Sequence, residues 1–306
     1  MAKKEIVQLG KASKLMEKLL KTSTLKPSLL NESSVMQEVE PTPTKIPMLN
    51  IALGGKLNSG VTRGITMLAG PSKHFKTSFA LSIVGSYLEA HPDAVLLFYD
   101  NEFGAKAQYF EQFGVDTSRV IHTPFEDIEE LKQDLVTQLT EHVLGDKLII
   151  LIDSIGNAAS RKELVDAVAQ KTTTDMTRAK QLKSLFRMIT PKLNLKNIPL
   201  FAVNHTYKSQ DFFPVDVVGG GEGGVYSSDN IFVIGKNQLK ESDELTGFKF
   251  LIKMFKSRSI KEKSVFPITV RFERGIAKWS GFDEIALQLG IIEKGKDGKK
   301  VIYKYN

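Results

Sequence analysis

Gly70-Pro-Ser-Lys-His-Phe75-Lys76-Thr77, followed by Ser78, is the stretch on which the fold turns. Before it, residues 65–69 form a short apolar run that reads as a strand. After it, residues 76–90 carry the apolar spacing of a helix. A glycine-opened loop between strand and helix, ending in Lys-Thr, is the context a P-loop requires. Backbone amides of such a loop, with the helix N-terminus behind them, hold phosphate. The candidate nucleotide contacts therefore run from Gly70 through Pro71, Ser72, Lys73, His74, Phe75, Lys76 and Thr77 to Ser78. Lys76 is placed to reach the outer phosphates and Thr77 to ligate Mg2+, so ATP and Mg2+ are the expected cofactors. Phe75 departs from the pattern, because a glycine usually precedes the lysine. If positive φ is needed there, a non-glycine residue costs about 1–2 kcal/mol.

Working outward, apolar runs and helical patterns alternate. Strands are expected over residues 94–99, 120–122, 147–153 and 198–203. Helices are expected over 106–113, 128–144 and 177–195. Continuous apolar strands between helices mean a sheet buried on both faces and mainly parallel, an α/β fold. Residues 231–235, 248–255 and 265–272 add a strand-rich end, expected to be antiparallel. Two further signals lie at the carboxyl ends of strands, where ligands of such sheets bind. Leu148-Ile-Ile-Leu-Ile-Asp153 fits a Walker B strand, with Asp153 ordering Mg2+ through water. Phe98-Tyr-Asp100-Asn-Glu102 offers two carboxylates, of which Glu102 is preferred as the one that polarises the attacking water.

The chain has 306 residues, of which 42% are hydrophobic, enough for one large or two smaller cores. It has no cysteine, which excludes disulfide and thiolate chemistry. No apolar run approaches the roughly 20 residues of a membrane helix, and no apolar signal core opens the chain. A cytoplasmic protein without a membrane partner is expected, in the host cytoplasm if a phage encodes it. Lys and Arg outnumber Asp and Glu by 42 to 35, a net charge of +7 that favours polyanions. Residues 1–25 are Lys-rich, with Ile6, Leu9, Leu15, Leu19 and Leu20 spaced as on an amphipathic helix. Residues 26–47 end in Pro41-Thr-Pro-Thr-Lys-Ile-Pro47 and read as an extended linker.

Together these motifs resemble the RecA superfamily of recombinases, and most of all the UvsX branch found in T4-like phages. The resemblance spans residues 44–290. It is carried by Thr44-Lys-Ile-Pro-Met-Leu-Asn-Ile-Ala-Leu53, Leu68-Ala-Gly-Pro-Ser-Lys73, Phe98-Tyr-Asp-Asn-Glu-Phe-Gly104, Met176-Thr-Arg-Ala-Lys180, Lys183-Ser-Leu-Phe-Arg187, Val203-Asn-His-Thr206 and Lys256-Ser-Arg258. In that branch a phenylalanine also precedes the P-loop lysine. The resemblance implies that Tyr109 stacks on adenine, that His205 senses the γ-phosphate, and that Lys256 and Arg258 reach the ATP site of a neighbouring subunit. Bacterial RecA carries a glutamine at the position of His205, so the resemblance leaves the detail of that sensing open.

The resemblance also implies DNA contacts from two segments. One is the helix bearing Arg178, Lys180, Lys183 and Arg187. The other runs from Tyr207 to Tyr226 and holds Lys208, Phe212, Phe213 and the run Gly219-Gly-Gly-Glu-Gly-Gly224. A loop of about 20 residues inside a compact domain is commonly functional. Glycines give it mobility, aromatics stack on bases, and Lys208 meets phosphate. The expected organisation is a polymerisation arm and linker over 1–47, a RecA-type ATPase core over 48–290, and a tail over 291–306 that is the remnant of a truncated lobe. The implied activity is a DNA-dependent ATPase that filaments on single-stranded DNA and exchanges strands with double-stranded DNA in recombination, repair and replication. Single-strand-binding and mediator proteins are the implied accessory partners. A ring helicase shares the fold, and a DNA-coating protein with a vestigial ATP site is the other rival. Intact Lys76, Thr77, Glu102 and Asp153 argue against the latter.

Overall fold

The computed structural model describes residues 13–25, 27–33, 35–37, 39–142, 145–170, 176–210, 212, 214–297 and 300–305. The chain divides into two units, Met1–Glu40 and Pro41–Asn306. In the first, residues 13–22 form helix α1, and a 3-10 turn spans Leu30–Glu32. Leu15 and Leu19 are exposed, whereas Ile6 and Leu9 lie outside the described residues.

Residues 41–46, part of the stretch read as linker, are built into the second unit. Thr42 exchanges backbone hydrogen bonds of 3.0 and 2.8 Å with Val61. Its hydroxyl lies 2.8 Å from His91 Nε2. Helix α2 (Pro47–Gly54) then begins on a proline, at a position where the missing amide costs nothing. The order continues β1 (Gly64–Ala69), α3 (Lys76–Ala90), β2 (Val95–Asp100), α4 (Ala107–Gln112), β3 (Val120–Pro124), α5 (Ile128–Glu141), β4 (Leu148–Asp153), α6 (Arg161–Val168), α7 (Thr177–Lys196) and β5 (Pro199–Asn204). After it come β6 (Thr206–Lys208), β7 (Asp216–Val218), α8 (Glu222–Ser227), β8 (Asn230–Glu241), β9 (Glu244–Lys256), β10 (Val265–Arg271), β11 (Gly275–Ile276), α9 (Phe282–Gln288), β12 (Ile292–Asp297) and β13 (Lys300–Tyr305).

The central sheet has the order β11-β10-β9-β8-β1-β5-β4-β2-β3. From β8 to β3 all neighbours are parallel. The pairs β8–β9, β9–β10 and β10–β11 are antiparallel. The strand-rich end is antiparallel as expected, and it joins the parallel part through β8, which runs parallel to β1 on one side and antiparallel to β9 on the other. Period-two alternation sends each strand into two cores. In β4, Ile149 and Leu151 belong to the core shared with α2 and α3, while Ile150 and Ile152 belong to the core shared with α5 and α7. Helix α5 answers with Ile128, Leu131, Leu135 and Leu139, all buried at helical spacing, and opens on Asp127, whose carboxylate accepts from the Glu130 amide at 2.8 Å.

The glycine-rich segment after Tyr207 is more ordered than its composition predicts. Strands β6 and β7 pair as a hairpin, and α8 follows. Gly220 and Gly221 take φ of 87° and 74°, a left-handed turn for which glycine is the natural residue. Gly223 and Gly224 are there for contact instead of mobility. A Cβ at Gly223 would lie 2.6 Å from Lys183 Cβ, and one at Gly224 would lie 3.1 Å from the Phe186 ring. Bare backbone lets α8 close on α7. Gly223→Ala should therefore lower the unfolding free energy by about 1–3 kcal/mol, the cost of overpacking. Gly104→Ala, with nothing within 4 Å of the added Cβ, should stay within about 0.5 kcal/mol. Urea unfolding of the two variants checks the contrast.

Candidate functional site

The carboxyl ends of β1, β2 and β5 converge on one cleft of about 350 Å³, lined by Ser72 to Ser78, Glu102, Tyr109, Val203 and His205. The loop leaving β1 supplies the first wall. Gly70 approaches the neighbouring strand closely, so a Cβ there would come 3.0 Å from the Ile234 carbonyl. Lys73 and Phe75 both adopt left-handed backbone, with φ of 60° and 62°. Phe75 offsets that conformation by packing its ring. The centroid stacks 5.1 Å from Phe250 and meets Phe79 edge-on at 5.2 Å. Such aromatic pairs contribute about 0.5–1.5 kcal/mol each beyond area burial.

Lys76, at the start of α3, is buried, and its ammonium donates to the Pro71 carbonyl at 2.9 Å. Burial lowers its pKa from the usual lysine value, against the opposing pull of Glu102 and Asp153. Thr77 donates to Asp153 Oδ2 at 2.7 Å. The other oxygen, Asp153 Oδ1, is buried with no hydrogen-bond partner among the described residues. Burial pushes the Asp153 carboxyl up to about 6; the Thr77 hydrogen bond opposes the rise, and Glu102 and Asp100 add to it. A hydroxyl beside an unpartnered carboxylate oxygen fits a divalent cation. Among the described residues no cluster of three or more His, Cys, Asp or Glu could hold a metal alone. Thr77 and Asp153 therefore offer a partial shell, to be completed by phosphate oxygens and water.

The two carboxylates of the Asp100-Asn-Glu102 turn have different surroundings. Asp100 is buried; its Oδ1 accepts the amides of Glu102 and Phe103 at 3.0 and 2.9 Å, and its Oδ2 meets His122 Nε2 at 3.2 Å. Glu102 faces the cleft. Its Oε1 accepts from Ser154 Oγ at 2.6 Å and Asn157 Nδ2 at 2.9 Å, and lies 3.3 Å from His205 Nε2. Asn101 ties the two strand ends together, accepting the Ser154 amide at 2.8 Å. Asn204 does the same beyond β5, accepting the His205 amide at 2.8 Å and donating to the Gly219 carbonyl at 2.8 Å. Tyr109 Oη contacts Ser78 Oγ at the cleft rim. Asn101, Ser154 and Asn157 were not singled out from the sequence. Their one signal was position, as polar residues directly beyond apolar strands.

Lys256 and Arg258 are not among the residues lining this cleft. Lys256 Nζ donates to the Val225 and Tyr226 carbonyls at the end of α8, at 2.7 and 2.9 Å. Its pKa is lowered by burial and by the neighbouring Arg258 charge. Arg258 Nε pairs with Asp229 Oδ1 at 2.7 Å. On α7, Lys180, Lys183 and Arg187 are exposed. Arg178 differs: Nε and Nη2 are taken by the carbonyls of Ala158, Ile155 and Gly156. Lys208 pairs with Asp216 across the β6–β7 hairpin at 2.8 Å, and Phe212 at its turn is 93% exposed. Phe213 lies outside the described residues.

The RecA N-terminal domain family matches residues 8–277. A "Recombination and repair protein" of Enterobacteria phage T4 is 48% identical over 287 residues, covering 94% of this chain and 73% of that protein. "Protein RecA" of Paracoccus denitrificans is 23% identical over 87% of the chain and 73% of its own length. "Protein RecA" of Thermus aquaticus is 24% identical over 84% of the chain and 74% of its own length.

Phe75 supplies a test that needs no ligand. Phe75→Gly loses the ring but relieves the left-handed backbone, whereas Phe75→Ala loses the ring and keeps the strain. Both should destabilise, with Ala worse than Gly by about 1 kcal/mol, the reverse of their order in a helix interior. Chemical denaturation of the two proteins measures the difference.

Proposed function

The chain belongs to the RecA family of ATP-dependent recombinases, and from that premise we propose that it is a DNA-dependent ATPase that polymerises on single-stranded DNA and exchanges homologous strands. One observation supports this most: Lys76, Thr77, Glu102 and His205, which follow three separate strands, line one cleft, and Asp153 at the end of a fourth joins them through the Thr77 hydroxyl. In this reading the amides of residues 70–78 and the Lys76 ammonium hold the phosphates of ATP. Thr77 and, through water, Asp153 hold Mg2+, which would supply charge neutralisation at the transferring phosphoryl group. Glu102 orients the attacking water, His205 senses the γ-phosphate, and Tyr109 stacks on the base. Asp100, enclosed by two amides and His122, fixes the turn that presents Glu102.

DNA is held along the exposed cations of α7 and the β6–β7 hairpin. Lys180, Lys183, Arg187 and Lys208 neutralise phosphate, and Phe212 and Phe213 stack on bases. Arg178, with three carbonyl partners of its own, braces the helix that carries the others. Lys256 and Arg258 lie outside their own cleft, which accords with service to an adjacent subunit. A developing phosphoryl charge is stabilised by such cations, so the ATPase is complete only at a boundary between copies.

Two experiments follow. Lys76→Ala protein and Lys256→Ala/Arg258→Ala protein should each be nearly inactive alone. Mixed on single-stranded DNA at fixed total concentration, they should regain part of the ATP turnover, because some boundaries pair a sound P-loop with sound cations. Turnover that stays at the sum of the two parents at every ratio, in filaments shown to be mixed, would remove the trans assignment. The second concerns pH. Asp153 carries its proton up to about pH 6, so binding of Mg2+-nucleotide near pH 6 should release a proton from it. The site should strengthen as pH rises through 6. In the metal-free protein the same raised carboxyl has the opposite effect on folding, since stability is lost as pH climbs from the unfolded value of about 4 through 6. Calorimetric titration in two buffers of different ionisation enthalpy measures the release, which Asp153→Asn should abolish.

A further inference from the structure

Glu102 Oε1 is surrounded by three groups in unequal settings. Ser154, directly after β4, is fully buried, and His205 directly follows β5, so both are tied to strand ends. Asn157 is exposed and comes from the loop between β4 and α6. That loop is held from the other side by α7. The Arg178 guanidinium takes three of its carbonyls, those of Ile155, Gly156 and Ala158, at 2.7 to 3.0 Å. The loop also presses on His205, since a Cβ at Gly156 would sit 2.5 Å from His205 Cδ2. The first turn of α7, beside the exposed Lys180 and Lys183, is thus joined to the Glu102 carboxylate through two shells of hydrogen bonds.

A carboxylate oxygen has two lone pairs. With Ser154 and Asn157 both donating, the two lone pairs of Oε1 are engaged and only Oε2 is left for water, in the one orientation that the two hydrogen bonds favour. Release of the Asn157 amide would free one lone pair while Ser154 kept the carboxylate in place. We propose that Asn157 is a positioning residue that latches Glu102 in a resting orientation, and that DNA engaging the basic face of α7 draws the 154–159 loop, and the amide with it, off the carboxylate. DNA stimulation of ATP hydrolysis is then in part the removal of one hydrogen bond. This inference rests on the role proposed above for Glu102.

The test compares wild type with Asn157→Ala and with Asn157→Leu, which keeps the bulk and lacks the donor. ATP turnover is measured with and without a single-stranded oligonucleotide, with Glu102→Gln in parallel. Because Asn157 is exposed, neither substitution threatens the core. DNA-free turnover should rise about three- to tenfold in both variants, on the scale of the net contribution of one ordinary hydrogen bond. The DNA-stimulated rate should stay within about twofold, so the stimulation ratio falls, and KM for ATP should not change. Equal losses in both states, or no change in either, would overturn the latch while Glu102→Gln remains inactive. Full turnover in Glu102→Gln would overturn the latch together with its premise, and so tells the two failures apart.

Discussion

Phe75 holds a left-handed backbone directly before Lys76, and the packing of its half-buried ring offsets the strain of that conformation. This constraint joins the loop to the rest of the molecule. The ring rests on Phe250 of β9 and Phe79 of α3, so the loop between β1 and α3 is braced by the antiparallel end of the sheet as well as by the helix it opens. A glycine would reach the same backbone at no steric cost but would leave the loop with no anchor of its own.

From that loop the geometry of the parallel sheet does the rest. Neighbouring parallel strands end together, so whatever follows β1, β2, β4 and β5 is brought to one edge. Each turn there is closed by a short polar side chain: Asp100 for the Glu102 turn, Asn101 across to Ser154, Asn204 to Gly219. These side chains make the cleft a rigid frame, and they leave Asn157 as the exposed, loop-borne donor to Glu102.

Most of the frame was legible in the sequence because burial writes itself into periodicity. Residues 148–152 are apolar throughout since both faces of β4 are covered, and α3 was bounded by a loop motif with a known purpose. The glycines after Tyr207 were legible only in part. Glycine carries two meanings, freedom of backbone and absence of side chain, and composition cannot separate them; at Gly223 and Gly224 the packing against α7 decides for the second. Arg178 shows the same limit for charge. Its spacing matches Lys180 and Lys183, yet carbonyls far away in sequence claim its guanidinium. Likewise β8 could be recognised as a strand, but its parallel pairing with β1 is a fact of topology that no local pattern records.

Lys256 and Arg258 are not idle in a single subunit. Lys256 is bound to two neutral carbonyls at the end of α8 and Arg258 to the Asp229 carboxylate. If they serve a neighbour, they must trade these partners for the new ones, and the trade is nearly even except in charge. Neutral carbonyl dipoles hold Lys256 less strongly than an anion would, whereas the Asp229 carboxylate holds Arg258 with a full opposite charge. On the proposed assignment the boundary between copies would therefore compare anions, closing on the more highly charged nucleotide and relaxing when that charge departs.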